Sequence, residues 1–479
     1  MTARPAFASF PARIDRHWDD EIVRELVDYI RVPAKSPHFD PDWKKHGHIE
    51  AVVQQARRWV EAQRIEGLEL EVVRIEGRTP VLYFDAPARG EGASAKSVVL
   101  YGHLDKQPEM TGWRQGFGPW TPVIEEGRLY GRGGADDGYA VFAAIAAIKA
   151  IDAEGVSRPR CIGLIETCEE SGSYDLPAYL DALAPRMGDV GLVIALDSGA
   201  GNYDQLWATT SLRGLVNGTL RVDILTEGVH SGDAGGVVPS SFRIARQLLD
   251  RIDDSRTGAV KPTEFSCEIP ADRLAQARQA AEILGESLWK RFPWSCCGDN
   301  RLFSQPASKD PLELILNRTW RAALAVTGAD GLPPPESAGN VQRPFTTLKL
   351  SLRLPPLVDG SSAAKSMKDI LERDPPYNAR VAFDGSGSTG WNAPSTAPWL
   401  AGALDAASNQ LWGKPAAYMG EGGTIPFMSM LNVKFPRAQL LVTGVLGPKS
   451  NAHGPNEFID IAYAKKVTAA TAMVIASLP

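Results

Sequence analysis

No stretch of about eighteen consecutive apolar residues occurs in this chain, so no membrane-spanning helix is expected. The N-terminal Met-Thr-Ala-Arg-Pro-Ala-Phe-Ala lacks the apolar run of a secretory signal. Cysteine is scarce: the five (161, 168, 267, 296, 297) are an odd number in a long chain, not a disulfide framework, and they point to a reducing cytoplasm. Basic excess is missing too. A net charge of −6 offers no footprint for nucleic acid or an anionic membrane. There is no internal repeat and no low-complexity tract. What remains is ordinary globular composition, 44% hydrophobic and 23% charged. At 479 residues the chain exceeds what one core supports, and two domains are expected.

Apolar positions recur at helical spacing in 15–31 (Ile22, Val23, Leu26, Ile30) and 48–65 (Val52, Val53, Ala56, Val60). Short runs that are apolar nearly throughout, at 97–101, 161–167, 191–196 and 440–445, predict strands buried on both faces, with a helix at 138–151. Strands alternating with helices predict an α/β fold with a mostly parallel sheet. The rhythm then changes. Leu220, Val222 and Ile224, and Leu348, Leu350, Leu352 and Leu354, alternate with polar residues, with helical patterns at 240–253 and 362–373 and a further strand at 380–383. This predicts a small α+β (ferredoxin-like) domain inserted in the first, with hinges at 210–214 and 384–390. The expected division is 1–212 and 389–479 for one domain and 213–388 for the insert.

Five segments carry chemistry: Gly102-His103-Leu104-Asp105, Gly131-Arg132-Gly133 with Asp136-Asp137, Glu169-Glu170-Ser171-Gly172, Asp197-Ser198-Gly199 and Ala452-His453-Gly454-Pro455-Asn456-Glu457. Three follow the carboxyl ends of predicted buried strands, where open α/β sheets form their binding crevice. Alone each is ordinary: an Asp-Asp at a helix start caps the dipole, and a Glu-Glu before Ser-Gly is a solvated loop. Together their inventory fits two divalent ions, whose charge of about +4 is balanced by three carboxylates and a hydroxide. Imidazole and carboxylate suit zinc, and also manganese or cobalt. Adjacent Glu169 and Glu170 can divide the roles of base and ligand. His17, His38, His46 and His48 are read as surface residues, whereas His103, His230 and His453 sit beside glycine in motifs.

These motifs, in this order, resemble the M20 family of co-catalytic zinc peptidases, in particular carnosine-type and cytosolic non-specific dipeptidases. Gly228-Val229-His230-Ser231-Gly232 and Glu421-Gly422-Gly423-Thr424-Ile425-Pro426 match as well. The resemblance implies that Asp136 bridges two metals, completed by His103 and Asp197 on one and Glu170 and His453 on the other. It implies Glu169 as general base acting with metal-bound hydroxide, Asp105 as the residue orienting His103, and a cis peptide after Asp136. It further implies that the insert is a lid and dimerisation domain. His230 would then reach a partner subunit's site as oxyanion donor, Arg353 would grip the substrate carboxylate, and Asn340 and Thr424 would add contacts. Arg132 is read as structural. The implied substrate is a dipeptide or similar short molecule with a free C-terminal carboxylate. N-acyl amino acids (as for an aminoacylase or desuccinylase) and longer peptides (as for an exopeptidase) stay open, with an inactive binding subunit as the remote reading. Gly138 departs from the pattern, standing where many relatives carry lysine.

Overall fold

The computed structural model describes residues 7, 9–295, 304–423 and 426–479. They form two compact units. The first comprises Met1–Thr209, Ala393–Met419 and Phe427–Pro479, and the second Thr210–Asn392 and Gly420–Pro426.

The first unit is built on a six-stranded sheet in the order Glu69–Val73, Val81–Ala86, Arg160–Glu166, Ser97–His103, Val190–Ala195, Gln439–Val442. The last four run parallel. The first two, which the sequence pattern did not single out, pair antiparallel at one edge. Every residue of Ser97–His103 is buried, which is why it reads as a continuous apolar run rather than an alternating one. Each fully buried Val or Leu there contributes about 1.5–3 kcal/mol. Helix Tyr139–Ala153 is apolar on nearly all sides and correspondingly buried, packed on helix Ile461–Ile475. The predicted helix at 15–31 begins earlier, at Phe10, and passes through a π turn at Trp18–Ile22. His17 is not the surface residue expected: its ring stacks on Trp59 at 5.5 Å and faces Gln63 Oε1 at 3.1 Å. Among the described residues no helix is long and apolar enough to cross a membrane.

The second unit holds a four-stranded antiparallel sheet ordered Ala323–Asp330, Phe345–Leu354, Gly214–Asp223, Arg380–Ser388. With helices Ser241–Leu249 and Gly360–Glu372 the chain order is β-α-β-β-α-β, and the strand order is that of a ferredoxin-like fold. Alternation along Gly214–Asp223 and Phe345–Leu354 sends Val216, Leu220, Val222, Leu348, Leu350 and Leu352 into one core with Ile244, Leu248 and Met367. The residues between them form the opposite, polar face. Both helices are capped as physics prefers. Ser240 accepts from the Arg243 amide and Asp359 from the Ser362 amide. Asp384–Ser388 is paired with Leu215–Thr219 as strand rather than free as a hinge, because the ladder extends past the apolar stretch. The chain also returns to this unit at Gly420–Pro426, outside the expected 213–388 span.

Candidate metal centre

The first unit brings the five sequence segments to one place. His103 is the last residue of its strand, and Asp105 lies just beyond. Glu169 and Glu170 form a single 3₁₀ turn after Arg160–Glu166, and Asp197 lies just past Val190–Ala195. Asp136 sits in the turn Gly134–Gly138 that enters helix Tyr139–Ala153, and its peptide bond to Asp137 is cis. That turn can approach the strand only because residue 102 is glycine. A Cβ there would meet the Cβ of Ala140 at 2.6 Å and Asp137 Oδ2 at 2.9 Å. His453 lies in the loop after Gln439–Val442 with φ +65°.

The two carboxylate oxygens of Asp136 face different imidazoles: Oδ1 is 3.3 Å from His103 Nε2, and Oδ2 is 3.1 Å from His453 Nε2. Asp197 Oδ2 lies 3.8 Å from His103 Nε2, and Glu170 Oε2 lies 3.4 Å from His453 Nε2. Glu169 Oε2 is 4.0 Å from His103 Nε2. His103, Asp136 and Glu170 form one group of ligand atoms within 4.8 Å of one another, and His103, Glu169 and Asp197 form a second. The donor set fits divalent cations. Imidazole and carboxylate oxygen are their ligands, and the buried His103 Nε2 and Glu170 Oε1 have no hydrogen-bond partner. Electrostatics agree. Burial pushes the carboxyls of Glu169 and Glu170 well up, helped by Asp197 and Asp136 respectively, and Asp197 rises to about 7. Burial would lower His103, yet the facing carboxylates of Asp105 and Asp136 hold it well above its ordinary value. So much negative charge in a buried site calls for cations.

Asp105 does more than the sequence suggested. Its carboxylate accepts from the Glu169 amide at 3.1 Å and the Glu170 amide at 2.9 Å, fixing the acidic turn. His103 Nδ1 lies closer to the Asp105 backbone carbonyl, 3.1 Å, than to its carboxylate, 3.5 Å. A proton on Nδ1 leaves Nε2 free to ligate. Two supports, Gln107 and Glu166, escaped the sequence reading. Gln107 Nε2 donates to Glu170 Oε2 at 2.6 Å; it lies only two positions past Asp105. Glu166 is buried beside His103 in the parallel ladder, accepts from Tyr101 and Ser173, and is pushed up to about 8 by burial. Arg132 and Glu457, both fully buried, form an ion pair. Arg132 also donates to the carbonyls of His453 at 3.0 Å and Gly454 at 2.9 Å, and Glu457 accepts from the Gly133 amide at 2.9 Å. One pair thus ties the His453 loop to the Asp136 turn.

Gly138 has a packing reason. A Cβ at this position would meet Tyr29 Cε1 at 2.1 Å, so the Tyr29 ring fills the space a side chain would need. Buried Lys106 lies 3.8 Å from that ring's centroid and donates to the carbonyls of Tyr29 and Val32.

The remaining candidates belong to the second unit. His230 is exposed on the two-residue strand Val229–His230, paired with Val341–Gln342, and Asn340 O accepts from the Ser231 amide at 2.9 Å. His230 and Asn340 are therefore neighbours. Arg353 lies on the polar sheet face, opposite Leu215 and Ala323. Thr424 lies outside the described residues.

The sequence profile of peptidase family M20/M25/M40 matches residues 99–477. A cysteinylglycine-S-conjugate dipeptidase of Corynebacterium striatum is 25% identical over 454 residues, 92% of each chain. The solved structure of human carnosine dipeptidase 1 superposes with a TM-score of 0.76 at 20% identity, covering 99% of both chains. The dipeptidase Dug1p of Saccharomyces cerevisiae superposes with a TM-score of 0.75, also at 20% identity and 99% coverage of both. With a family match spanning most of its length and a site of this composition, the chain belongs to peptidase family M20/M25/M40 and is a metallopeptidase.

Proposed function

We propose that this chain is a dinuclear metal-dependent dipeptidase, cleaving the amide bond of dipeptides or similar short substrates with a free C-terminal carboxylate. The observation that carries the reading is the Asp136 carboxylate, whose two oxygens face two different imidazole Nε2 atoms. Asp136 would bridge two ions, with His103 and Asp197 on one and Glu170 and His453 on the other. Zinc is the first choice for these ligands, with manganese and cobalt as substitutes. Bound divalent ions would supply a Lewis acid for the scissile carbonyl and lower the pKa of water towards about 7. Glu169 is the proton carrier. Its carboxylate, 4.0 Å from His103 Nε2, stands close enough to the ligand group to take a proton from the attacking water and return it to the leaving amine.

Residues 1–212 and 389–479 form the catalytic domain in this reading, and 213–388 the lid and dimerisation domain. Arg353 takes the substrate carboxylate with its guanidinium fork. His230 serves a partner subunit's site in a homodimer. Its Nδ1 accepts from the Gly232 amide at 3.1 Å, leaving the proton on Nε2, the form that donates to an oxyanion. Asn340 and Thr424 add contacts. The relatives' dipeptidase names support the substrate class. Cys161 and Cys168, both buried free thiols, suit a cytoplasmic setting.

The test is a panel of dipeptides, β-alanyl dipeptides, N-acyl amino acids and tripeptides with defined metals, run beside Glu169→Gln. Dipeptides should be cleaved fastest, and E169Q should keep its metal while turnover falls by about 10²–10⁴. Preference for acylated amino acids or tripeptides would refute the substrate class, and an active E169Q would refute the base.

A further inference from the structure

The two carboxylate oxygens of Glu170 have unlike surroundings. The side chain is 3% exposed. Oε2 accepts from the Gln107 carboxamide at 2.6 Å, while Oε1 is buried with no hydrogen-bond partner. An ionised carboxylate only accepts, so the carboxamide presents its Nε2 to it. That bond fixes the rotation of the Glu170 carboxyl, and Oε1 is the oxygen left for an ion. The donor is neutral. It orients the carboxylate without cancelling the charge that attracts a cation, whereas a lysine in its place would repel one. Among the described residues, the carboxylates of Asp136, Glu169 and Asp197 accept no hydrogen bond from an amide or hydroxyl side chain.

Gln107 is itself held from both sides. Lys106 before it is fully buried. The Lys106 carbonyl accepts from the Ser36 amide at 2.9 Å, and its ammonium donates to the carbonyls of Tyr29 at 2.7 Å and Val32 at 2.8 Å. The carbonyl of Pro108 after it accepts from Arg132 Nε at 3.2 Å. A residue before proline is also restricted towards extended backbone. Two positions earlier, Asp105 accepts from the Glu170 amide at 2.9 Å. Residues 105 and 107 thus grip Glu170 at its amide and at its carboxylate, from a backbone that is tied down. His453, the companion ligand of Glu170 in the dinuclear reading, has a side chain 55% exposed on its loop. With one ligand so open, the fixed orientation of the other weighs more in holding the ion.

We infer that Gln107 is a positioning residue for one ion of the pair, the one assigned to Glu170 and His453. Acting through Glu170, it sets the affinity of that ion and leaves the ion of His103 and Asp197 close to its parent value. The inference rests on the dinuclear reading above and deepens it, because it makes the two ions unequal. Without the carboxamide the Glu170 carboxyl is free to turn, and Oε1 is no longer held ready. Neither His103 nor Asp197 has a hydrogen bond to Gln107.

The test is competition titration of the metal-stripped, full-length protein with zinc against a chromophoric chelator. The variant is Gln107→Met, which keeps the length of the side chain and removes the donor. The parent should bind two ions per chain. Q107M should hold one as the parent does and bind the other about 10–100-fold more weakly, the cost of losing a hydrogen-bond partner behind a ligand. Gln107→Asn, which keeps the amide but falls one methylene short, should behave as Q107M does. Both variants, metal-stripped, should keep the parent's melting profile. Backgrounds that lack one ligand assign the effect. With Asp197→Ala, adding Q107M should weaken the remaining tight ion; with His453→Ala it should leave that ion unchanged. A parent that binds fewer than two ions refutes the dinuclear reading, and this assignment falls with it. A parent with two ions and a Q107M that keeps both affinities, or loses both equally, overturns the role of Gln107 alone. An equal effect of Q107M in the two backgrounds does the same.

Discussion

Arg132→Met is the sharpest probe of how the centre is held together. The substitution removes a guanidinium from a fully buried pair and leaves the Glu457 carboxylate with no counterion. Orphaning one partner of a buried pair costs about 3–5 kcal/mol. The carbonyls of Pro108, His453 and Gly454 also lose a donor, at roughly 1 kcal/mol each. Glu457 is already pushed up to about 7 by burial, with Arg132 opposing that rise, so removing Arg132 raises it further. A carboxyl whose folded pKa exceeds its unfolded value near ~4.3 carries a penalty absent below that pH. The penalty grows as pH climbs through 7 and beyond. The loss in R132M should therefore be larger at about pH 8 than at about pH 6. Adding Glu457→Gln removes the orphaned charge while keeping an acceptor for the Gly133 amide. The double variant should regain at least about 1–2 kcal/mol and lose the pH dependence, the carbonyl losses remaining. The assay is urea unfolding of the chelated protein, so that metal affinity does not enter. R132M within about 1 kcal/mol of the parent at pH 8, or a double variant no more stable than R132M, would show that the pair does not hold the loop in place.

Chelation should lower the melting temperature and stop hydrolysis, because the buried carboxyls of Asp136, Glu169, Glu170 and Asp197 then lose the cations they are arranged to hold. At about 100 times Kd the bound ions are worth about 2.7 kcal/mol, and calorimetry with and without added metal measures it. Gly138→Ala should cost about 1–3 kcal/mol by driving a Cβ into Tyr29, read as a shifted unfolding midpoint; an unchanged midpoint would mean that Tyr29 moves freely. Leu350→Ala should cost about 2–5 kcal/mol in the second unit's core. That loss should appear as earlier melting of a transition distinct from the first unit's.

The parallel strands could be read from local pattern, since Ser97–His103 and Val190–Ala195 are buried on both faces and so carry no polar alternation. The same holds for the half-buried strands of the second unit, whose alternation is the imprint of one dry and one wet face. The candidate ligands were legible as a set: each polar residue that ends a buried run is ordinary alone, and their order along the chain is what pointed to a metal pair. Tertiary structure alone decided the rest. Glu69–Val73 and Val81–Ala86 join the sheet at an edge, where partial exposure blurs the pattern. Glu457 lies 325 residues from Arg132, and nothing local marks that pair. The Asp105 carboxylate turned out to hold the acidic turn, because its partners are backbone amides that every residue carries. Gly138 was legible only as a departure until the Tyr29 ring supplied its cause. Local periodicity records which face is buried. Which groups meet across that face is fixed only when distant segments pack.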